Sequence, residues 1–218
     1  MTTTNIAARG AQRSPDKRRA ILRGGLTVFA RQGYTRGSIE AIAEEAVVST
    51  RTIYNHFGDK AKLFEAVIQA SATEVADAQI QLINQYLHRV TDIEADLIEF
   101  AIVWATPMSE FADHFAMVRQ VNAEIGHLPP AVVQAWQEAG PRRVGAVLAA
   151  KFSELADRGL LRLDDPDRAA VHFSLLTTGE VRSRGYGGAL PVSAEDIGTA
   201  ATEGVRAFLN GYGAGQTQ

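Results

Sequence analysis

Apolar residues recur every three or four positions along almost the whole chain, which is the spacing of amphipathic helices. Ser14-Pro15-Asp16 predicts the start of a first helix, Gly33 predicts its end, and Asp59 caps a fourth helix that runs to about Tyr86. Later helices are predicted at Asp92–Thr106, Ser109–Ile125, Pro130–Ala139, Pro141–Arg158, Asp165–Arg182 and Ser193–Asn210. No strand alternation and no repeat interrupts this pattern, so the chain is predicted to be all-α.

Two short helices joined by a tight turn are predicted in residues 38–57. Ser38 is a suitable N-cap for the first of them, and Ser49 for the second, which runs from Thr50 to Phe57. The apolar positions that would face inward are Ile39, Ile42, Ala43 and Ala46 in the first helix, and Ile53 and Phe57 in the second. Thr50, Arg51, Tyr54 and Asn55 would then point outward, with Thr52 and His56 beside them. These side chains suit a DNA groove better than a protein core.

The same segment resembles the TetR family of bacterial transcriptional regulators. The residues that carry the resemblance are Ser38, Ile42-Ala43, Ala46-Val47-Val48-Ser49, Thr52 to Lys60 and Leu63-Phe64. They span about the first quarter of the chain. The resemblance implies a three-helix DNA-binding head whose third helix, Ser49–Phe57, enters the major groove. One position departs from the pattern: Val47 stands where the family usually has glycine in a turn that favours positive φ, which costs a β-branched residue roughly 1–2 kcal/mol. The turn is therefore expected to be either strained or shaped differently.

The resemblance also assigns roles to residues of the head. Thr50, Arg51 and Tyr54 are expected to contact base edges, and Arg51 is the strongest of these because a guanidinium binds guanine through two hydrogen bonds. Phosphate contacts are expected from Ser38, Ser49, Thr52, His56 and Lys60. The alternative for Tyr54 and His56 is that they pack on the preceding helix.

Charge is distributed unevenly between the two ends of the chain. Residues 1–62 hold eleven Lys and Arg against five Asp and Glu, whereas the remainder of the 218 residues holds eleven against twenty. A basic head on an acidic body suits a protein that offers one end to DNA. We therefore predict a flexible tail at 1–13, a DNA-binding domain at 14–60, and a helical ligand-binding and dimerisation domain at 61–212.

The body is predicted to bind a small molecule and a second copy of the chain. Aromatic residues and methionine concentrate in 100–115, a region that lines an effector pocket in the family, and a pocket of this kind suits a hydrophobic or amphipathic ligand. The predicted pocket residues are Phe100, Trp104, Met108, Phe111, His114 and Phe115. The last two helices are expected to form a homodimer that reads a palindromic operator. The predicted interface residues are Phe173, Leu176, Ile197, Ala201, Val205 and Phe208. In both sets the alternative is an ordinary intramolecular core.

Composition excludes several other classes of site. The chain has no cysteine, and its histidines show no metal-binding spacing, so no metal and no cofactor is predicted. No apolar run reaches the length of a membrane span, and a cytoplasmic location is expected. No catalytic motif is present, so we expect no enzyme activity. The predicted function is a repressor released from its operator by a ligand. The alternatives are ligand-enhanced DNA binding or activation, a helical carrier or enzyme, and nonspecific DNA binding.

Overall fold

The computed structural model describes residues 4–214, with side chains described from Pro15 onward. Over these residues the chain forms ten α-helices and two short 3-10 turns, at Ser109–Phe111 and Ile125–His127. The helices are α1 (Thr4–Arg36), α2 (Ile39–Glu45), α3 (Thr50–Phe57), α4 (Lys60–Tyr86), α5 (Ile93–Ala105), α6 (Ala112–Ala123), α7 (Pro130–Ala139), α8 (Pro141–Asp157), α9 (Pro166–Arg184) and α10 (Ala194–Tyr212). The predicted all-α class is confirmed.

The first helix differs from its prediction at the N-terminal end. It begins at Thr4 rather than at Ser14, and Pro15 therefore lies inside the helix instead of in its first turn. Near the other end Gly33 adopts φ 76°, so α1 is kinked where the sequence predicted its end, and one more turn follows to Arg36. The flexibility of residues 1–13 stays a prediction. Residues 1–3 and the side chains of residues 4–14, including Arg9 and Arg13, lie outside the described part of the chain.

One compact unit comprises residues 1–73 and 111–139. Its core contains the inward residues of α1 to α3 together with side chains from α4, α6 and α7. Phe29 and Phe64 meet edge to face, with ring centroids 4.8 Å apart, and Met117 and Val121 of α6 are buried in the same cluster. The head is therefore more than three helices, because α6 and α7 share its core.

A second compact unit comprises residues 74–110 and 140–218. Phe152, Phe173 and Phe208 form an aromatic cluster with centroid separations of 5.2–5.4 Å. Helices α9 and α10 approach closely at Gly204, where an added Cβ would overlap the backbone carbonyl of Leu176. Small residues at such a crossing allow the two helix backbones to pack directly.

These units do not coincide with the predicted domains 14–60 and 61–212. Helix α4 is continuous from Lys60 to Tyr86 and contributes residues to both units. The segment 111–139 belongs with the head, although it lies far from it in sequence. The functional division into DNA-binding and ligand-binding domains stays a prediction. No helix within residues 4–214 is long and apolar enough to cross a membrane.

Candidate DNA interface

Helix α2 begins where its sequence predicts, after the N-cap Ser38. The Ser38 hydroxyl oxygen accepts a hydrogen bond from the Ala41 amide at 3.0 Å, which satisfies one of the free N–H groups of the first turn. Ile39, Ile42 and Ala43 are buried, and they fix the face that α2 turns toward the core.

The turn after α2 contains the residue that departs from the family pattern. Val47 adopts φ 54° and is 90% exposed. The Val47 amide donates to the Glu44 carbonyl at 3.1 Å, and the Val48 amide donates to the Ala43 carbonyl at 2.9 Å. This pair of bonds is the Schellman arrangement that closes a helix through a left-handed residue. Of the two alternatives, the structure has the strained turn, because Val47 keeps the positive φ of the family pattern despite its β-branched side chain.

Helix α3 is also capped as predicted. The Ser49 hydroxyl accepts from the Thr52 amide at 3.2 Å, and its oxygen lies 2.9 Å from the Thr52 hydroxyl. Ile53 and Phe57 are buried, whereas Gly58 ends the helix with φ 80°. The two buried residues, four positions apart, anchor one face of α3 and leave the opposite face to solvent.

The exposed face of α3 holds Arg51 and Tyr54, two of the three residues predicted to contact bases, together with Asn55. Arg51, Tyr54 and Asn55 are exposed, and Tyr54 is 49% accessible. Thr50 and His56 are half-buried, so they lie at the edges of this face. Among the described residues, Arg51 has no hydrogen-bond or ion-pair partner, and its guanidinium can therefore bind a base edge without first breaking an internal contact.

Lys60 is placed differently from a simple phosphate ligand. Its ammonium donates to the Thr35 carbonyl at 3.2 Å and lies 4.9 Å from the centre of the Tyr34 ring. Burial lowers the pKa of Lys60, and the nearby charge of Glu124 opposes that shift. The side chain is thus already engaged within the head.

Two basic residues beside this surface were not singled out from the sequence. Lys17 lines a shallow open depression together with Val48, Ser49 and Thr52. The guanidinium carbon of Arg18 lies 5.4 Å from the centre of the Phe57 ring, so α1 carries a cation over the end of α3. The basic run at 17–19 was the available signal, but only the packing of α1 shows which of its residues lie near α3.

Two family models match this chain, and together they span most of it. The model of the C-terminal domain of AefR-like transcriptional repressors matches residues 105–214, about half of the chain. The model of bacterial regulatory proteins of the TetR family matches residues 21–67, which include α2 and α3. The chain belongs to the TetR family. The predicted family is thereby confirmed, and so is the expectation of a DNA-binding regulator rather than an enzyme.

Similar proteins agree with this TetR-family assignment. A solved TetR-family regulator from Mesorhizobium loti is 30% identical, with a TM-score of 0.82 over 92% of this chain and 98% of that one. The flavonoid-responsive regulator FrrA is 26% identical, with a TM-score of 0.63 over 90% and 97% of the two chains. The repressor NicS of Pseudomonas putida is 35% identical over 79 residues. That match covers 36% of this chain and 36% of NicS, so the likeness extends over about a third of each protein.

The predicted pocket residues of this TetR-family chain divide between its two units. Phe100, Trp104 and Met108 belong to the second unit, whereas Phe111, His114 and Phe115 belong to the first. Phe100 is fully buried and stacks on Phe173 at 5.7 Å, so the structure places it in the core rather than on an open wall. The other residues of the set are half-buried, except His114.

His114 is a buried polar residue. It is 5% exposed, and its Nδ1 lies 3.0 Å from the Ser71 hydroxyl of α4. Burial lowers the pKa of His114 to about 4, because the charged imidazolium would lose its hydration. His114 therefore joins α6 to α4 as a neutral side chain. Among the described residues, Trp136 Nε1 is a second buried polar atom of this unit, and it has no hydrogen-bond partner.

The predicted dimer residues lie mostly inside a single chain. The six have these exposures: Phe173 0%, Ala201 0%, Val205 0%, Phe208 0%, Ile197 5% and Leu176 42%. Five of them are thus core residues of the second unit, and the prediction that they form an interface is wrong for those five. An apolar stripe at helical spacing identifies a buried face but not what buries it. On α9 the exposed apolar residues are Val171, Leu175 and Leu176.

Within the described residues, no group of three or more His, Asp or Glu side chains is placed to hold a metal ion.

Proposed function

We propose that this chain is a dimeric transcriptional repressor that binds a palindromic operator through α3 and is released by a small-molecule effector. The observation that carries the proposal is the outward face of α3. Three groove-suited side chains, Arg51, Tyr54 and Asn55, are exposed there on a helix whose other face is anchored by Ile53 and Phe57. Side chains on such a face reach base edges when the helix lies in the major groove.

Phosphate contacts would come from residues around that face. Ser38, Ser49 and Thr52 lie near the N-termini of α2 and α3, where free amides and the helix dipole attract anions. The half-buried His56 is placed beside the exposed face of α3. These contacts would set the position of the head on the duplex without reading its sequence.

A dimer follows from the small size of one head. A single module buries too little DNA surface for tight specific binding, whereas two heads on one two-fold axis read both halves of a palindrome. Val171, Leu175 and Leu176 support α9 as the surface on which a second copy would pack, since they are exposed apolar side chains on one long helix. They replace the five buried residues in the proposed interface.

The effector is proposed to be hydrophobic or amphipathic. Trp104, Met108, Phe111 and Phe115 are half-buried aromatic and thioether side chains that suit such a ligand. Response to a small molecule is supported by FrrA, which is described as flavonoid-responsive. Linkage then gives the mechanism, because an effector that weakens DNA binding must itself bind more weakly to the DNA-bound protein by the same factor.

Selection of bound sequences from a random duplex pool at about 150 mM salt tests the proposal, since nonspecific binding weakens at that ionic strength. Recovery of one two-fold-symmetric motif is the expected result. No enrichment by a folded protein would contradict it. The selected operator then serves as the probe for effector screening, in which an active compound lowers operator affinity.

Replacement of Arg51 tests the assignment of readout to α3. Arg51→Ala is expected to reduce discrimination by about 1–3 kcal/mol at one base pair of each half-site. Arg31→Ala is the matched control, because it removes the same charge from α1, where Arg31 faces Glu45 across 3.9 Å. Equal discrimination by the Arg51 and Arg31 variants would remove Arg51 from the readout set.

A further inference from the structure

The two ends of the helix-turn-helix segment are tied together inside the head. The chain enters the segment after Thr35 and leaves it at Lys60, the first residue of α4. The Lys60 ammonium donates to the Thr35 carbonyl at 3.2 Å, and its position over the Tyr34 ring supports the same contact. Helices α2 and α3 therefore lie within a loop that is closed by a single side chain.

The carboxylate of Glu124, which lies outside this segment, also binds Thr35 and so stabilises the contact between Thr35 and Lys60. Glu124 directly follows α6, and its Oε2 accepts from both the amide of Thr35, at 2.9 Å, and the Thr35 hydroxyl, at 3.0 Å. Its charge also acts favourably on the Lys60 ammonium. Thr35 is consequently held from both sides, by Glu124 at its N–H and hydroxyl and by Lys60 at its carbonyl.

The backbone is shaped to admit the carboxylate. Gly33 is buried and has φ 76°, and a Cβ at this position would overlap Glu124 Oε1. The kink in α1 therefore provides the space that Glu124 occupies. Met117 and Val121 of α6 are buried in the core cluster of the head, and this packing fixes the position of α6 and of Glu124 at its end.

We propose that Glu124 is a positioning residue for DNA recognition, which acts by fixing Thr35 and through it Lys60, and so sets the pose of α2 and α3. This inference rests on the proposed function. A residue 67 positions beyond Phe57 thus belongs to the recognition apparatus without touching DNA. Since Glu124 directly follows α6, a displacement of α6 within the head would reach α2 and α3 through this contact.

A specificity ratio tests the inference better than affinity does. Removal of any acidic residue near DNA raises binding to all duplexes, so bare affinity would mix charge with positioning. The ratio is the affinity for the selected operator divided by that for a scrambled duplex of the same length, measured by fluorescence anisotropy at 20 °C. A folded wild-type protein with no such preference would overturn the proposed function itself.

The chain offers matched pairs of variants. Glu124→Ala is compared with Asp113→Ala, because Asp113 is a carboxylate of the same helix that accepts a hydrogen bond from α1, from the Thr27 hydroxyl at 3.3 Å. Thr35→Val is compared in the same way with Thr27→Val. We expect the ratio to fall about fivefold for Glu124→Ala and about twofold for Thr35→Val, with no change in either control.

Glu124→Gln separates positioning from charge. It keeps an oxygen that accepts from Thr35 but removes the negative charge, and it is expected to retain most of the wild-type ratio. An unchanged ratio in folded Glu124→Ala would overturn the inference, and so would an equal loss in Asp113→Ala. If Glu124→Ala does not fold, Thr35→Val decides, since this exposed substitution leaves the carboxylate in place.

Discussion

The turn between α2 and α3 gives a quantitative prediction. Val47 is a β-branched residue at φ 54°, in the left-handed region that favours glycine, and its side chain is 90% exposed. Val47→Gly removes the unfavourable contact between Cβ and the backbone, and it leaves the amide hydrogen bond to the Glu44 carbonyl in place. We expect the substitution to stabilise the head.

The magnitude is the difference between two opposing effects. Relief of the left-handed strain is worth roughly 1–2 kcal/mol. Glycine gives the unfolded chain more conformational freedom, which costs about 0.4–1 kcal/mol. Little burial is lost, because the side chain is almost fully exposed. At the middle of both ranges the net gain in unfolding free energy is about 0.8 kcal/mol, which corresponds to roughly 2–3 °C in Tm for a chain of this size.

Thermal unfolding followed by circular dichroism at 222 nm measures the effect, and operator affinity is measured on the same samples. Val48→Gly is the neighbouring control. Its side chain is half-buried, and its backbone does not have positive φ, so it is expected to lower Tm. A Tm for Val47→Gly equal to or below that of the wild type would refute the strain argument. Tighter operator binding by the stabilised variant would show that the strain also disturbs the pose of α3.

Two further predictions concern buried positions. Burial lowers the pKa of His114 from its ordinary 6.5 to about 4 in the folded protein. Between these two pH values the unfolded chain binds a proton at His114 and the folded protein does not, so the free energy of unfolding falls as the pH falls. The stability that depends on neutral His114 is complete above pH 6.5 and decreases by about 3 kcal/mol as the pH approaches 4. His114→Asn keeps an acceptor for the Ser71 hydroxyl and does not titrate. In urea unfolding between pH 7.5 and 4.5, this variant should lose less unfolding free energy than the wild type. Equal losses in the two proteins would exclude His114 as the source of the pH dependence. Gly204→Ala should lower the unfolding free energy by about 3 kcal/mol or more, because the added Cβ would overlap the Leu176 carbonyl and α9 and α10 would have to separate. Gly198→Ala is its control in the same urea titration and should not destabilise, because a Cβ at this half-buried position meets no atom within 4 Å.

Local features of the sequence predicted the recognition helix well. The caps Ser38 and Ser49 and the buried pair Ile53 and Phe57 depend on residues within a few positions of one another. The positive φ at Val47 was implied only by the family resemblance, because valine itself disfavours that conformation. The physical causes of the caps and of the buried pair are local hydrogen bonds and helical periodicity, which a sequence displays directly.

Contacts between distant segments could not be predicted in the same way. Glu124 and Thr35 are 89 positions apart, and nothing near either residue indicates the other. The prediction of five interface residues failed for a related reason, whereas the dimer itself stays a prediction. Phe173 and Phe208 have the spacing of a buried stripe, but they face each other within one chain at a centroid distance of 5.3 Å. Periodicity specifies that a face is buried, whereas only the packing of helices specifies its partner.

The residues predicted from the sequence to contact phosphate do not all have the same freedom to bind DNA. Ser38 and Ser49 use their hydroxyl oxygens as helix caps, and Lys60 is bonded to Thr35. Loss of a serine cap costs about 1 kcal/mol in helix stability even without DNA. Weaker operator binding by Ser49→Ala would therefore not by itself identify a phosphate contact, because α3 would be less stable in the free protein. Arg51 has no internal partner among the described residues, so the effect of its removal reports on recognition more directly than that of any capped or bonded neighbour.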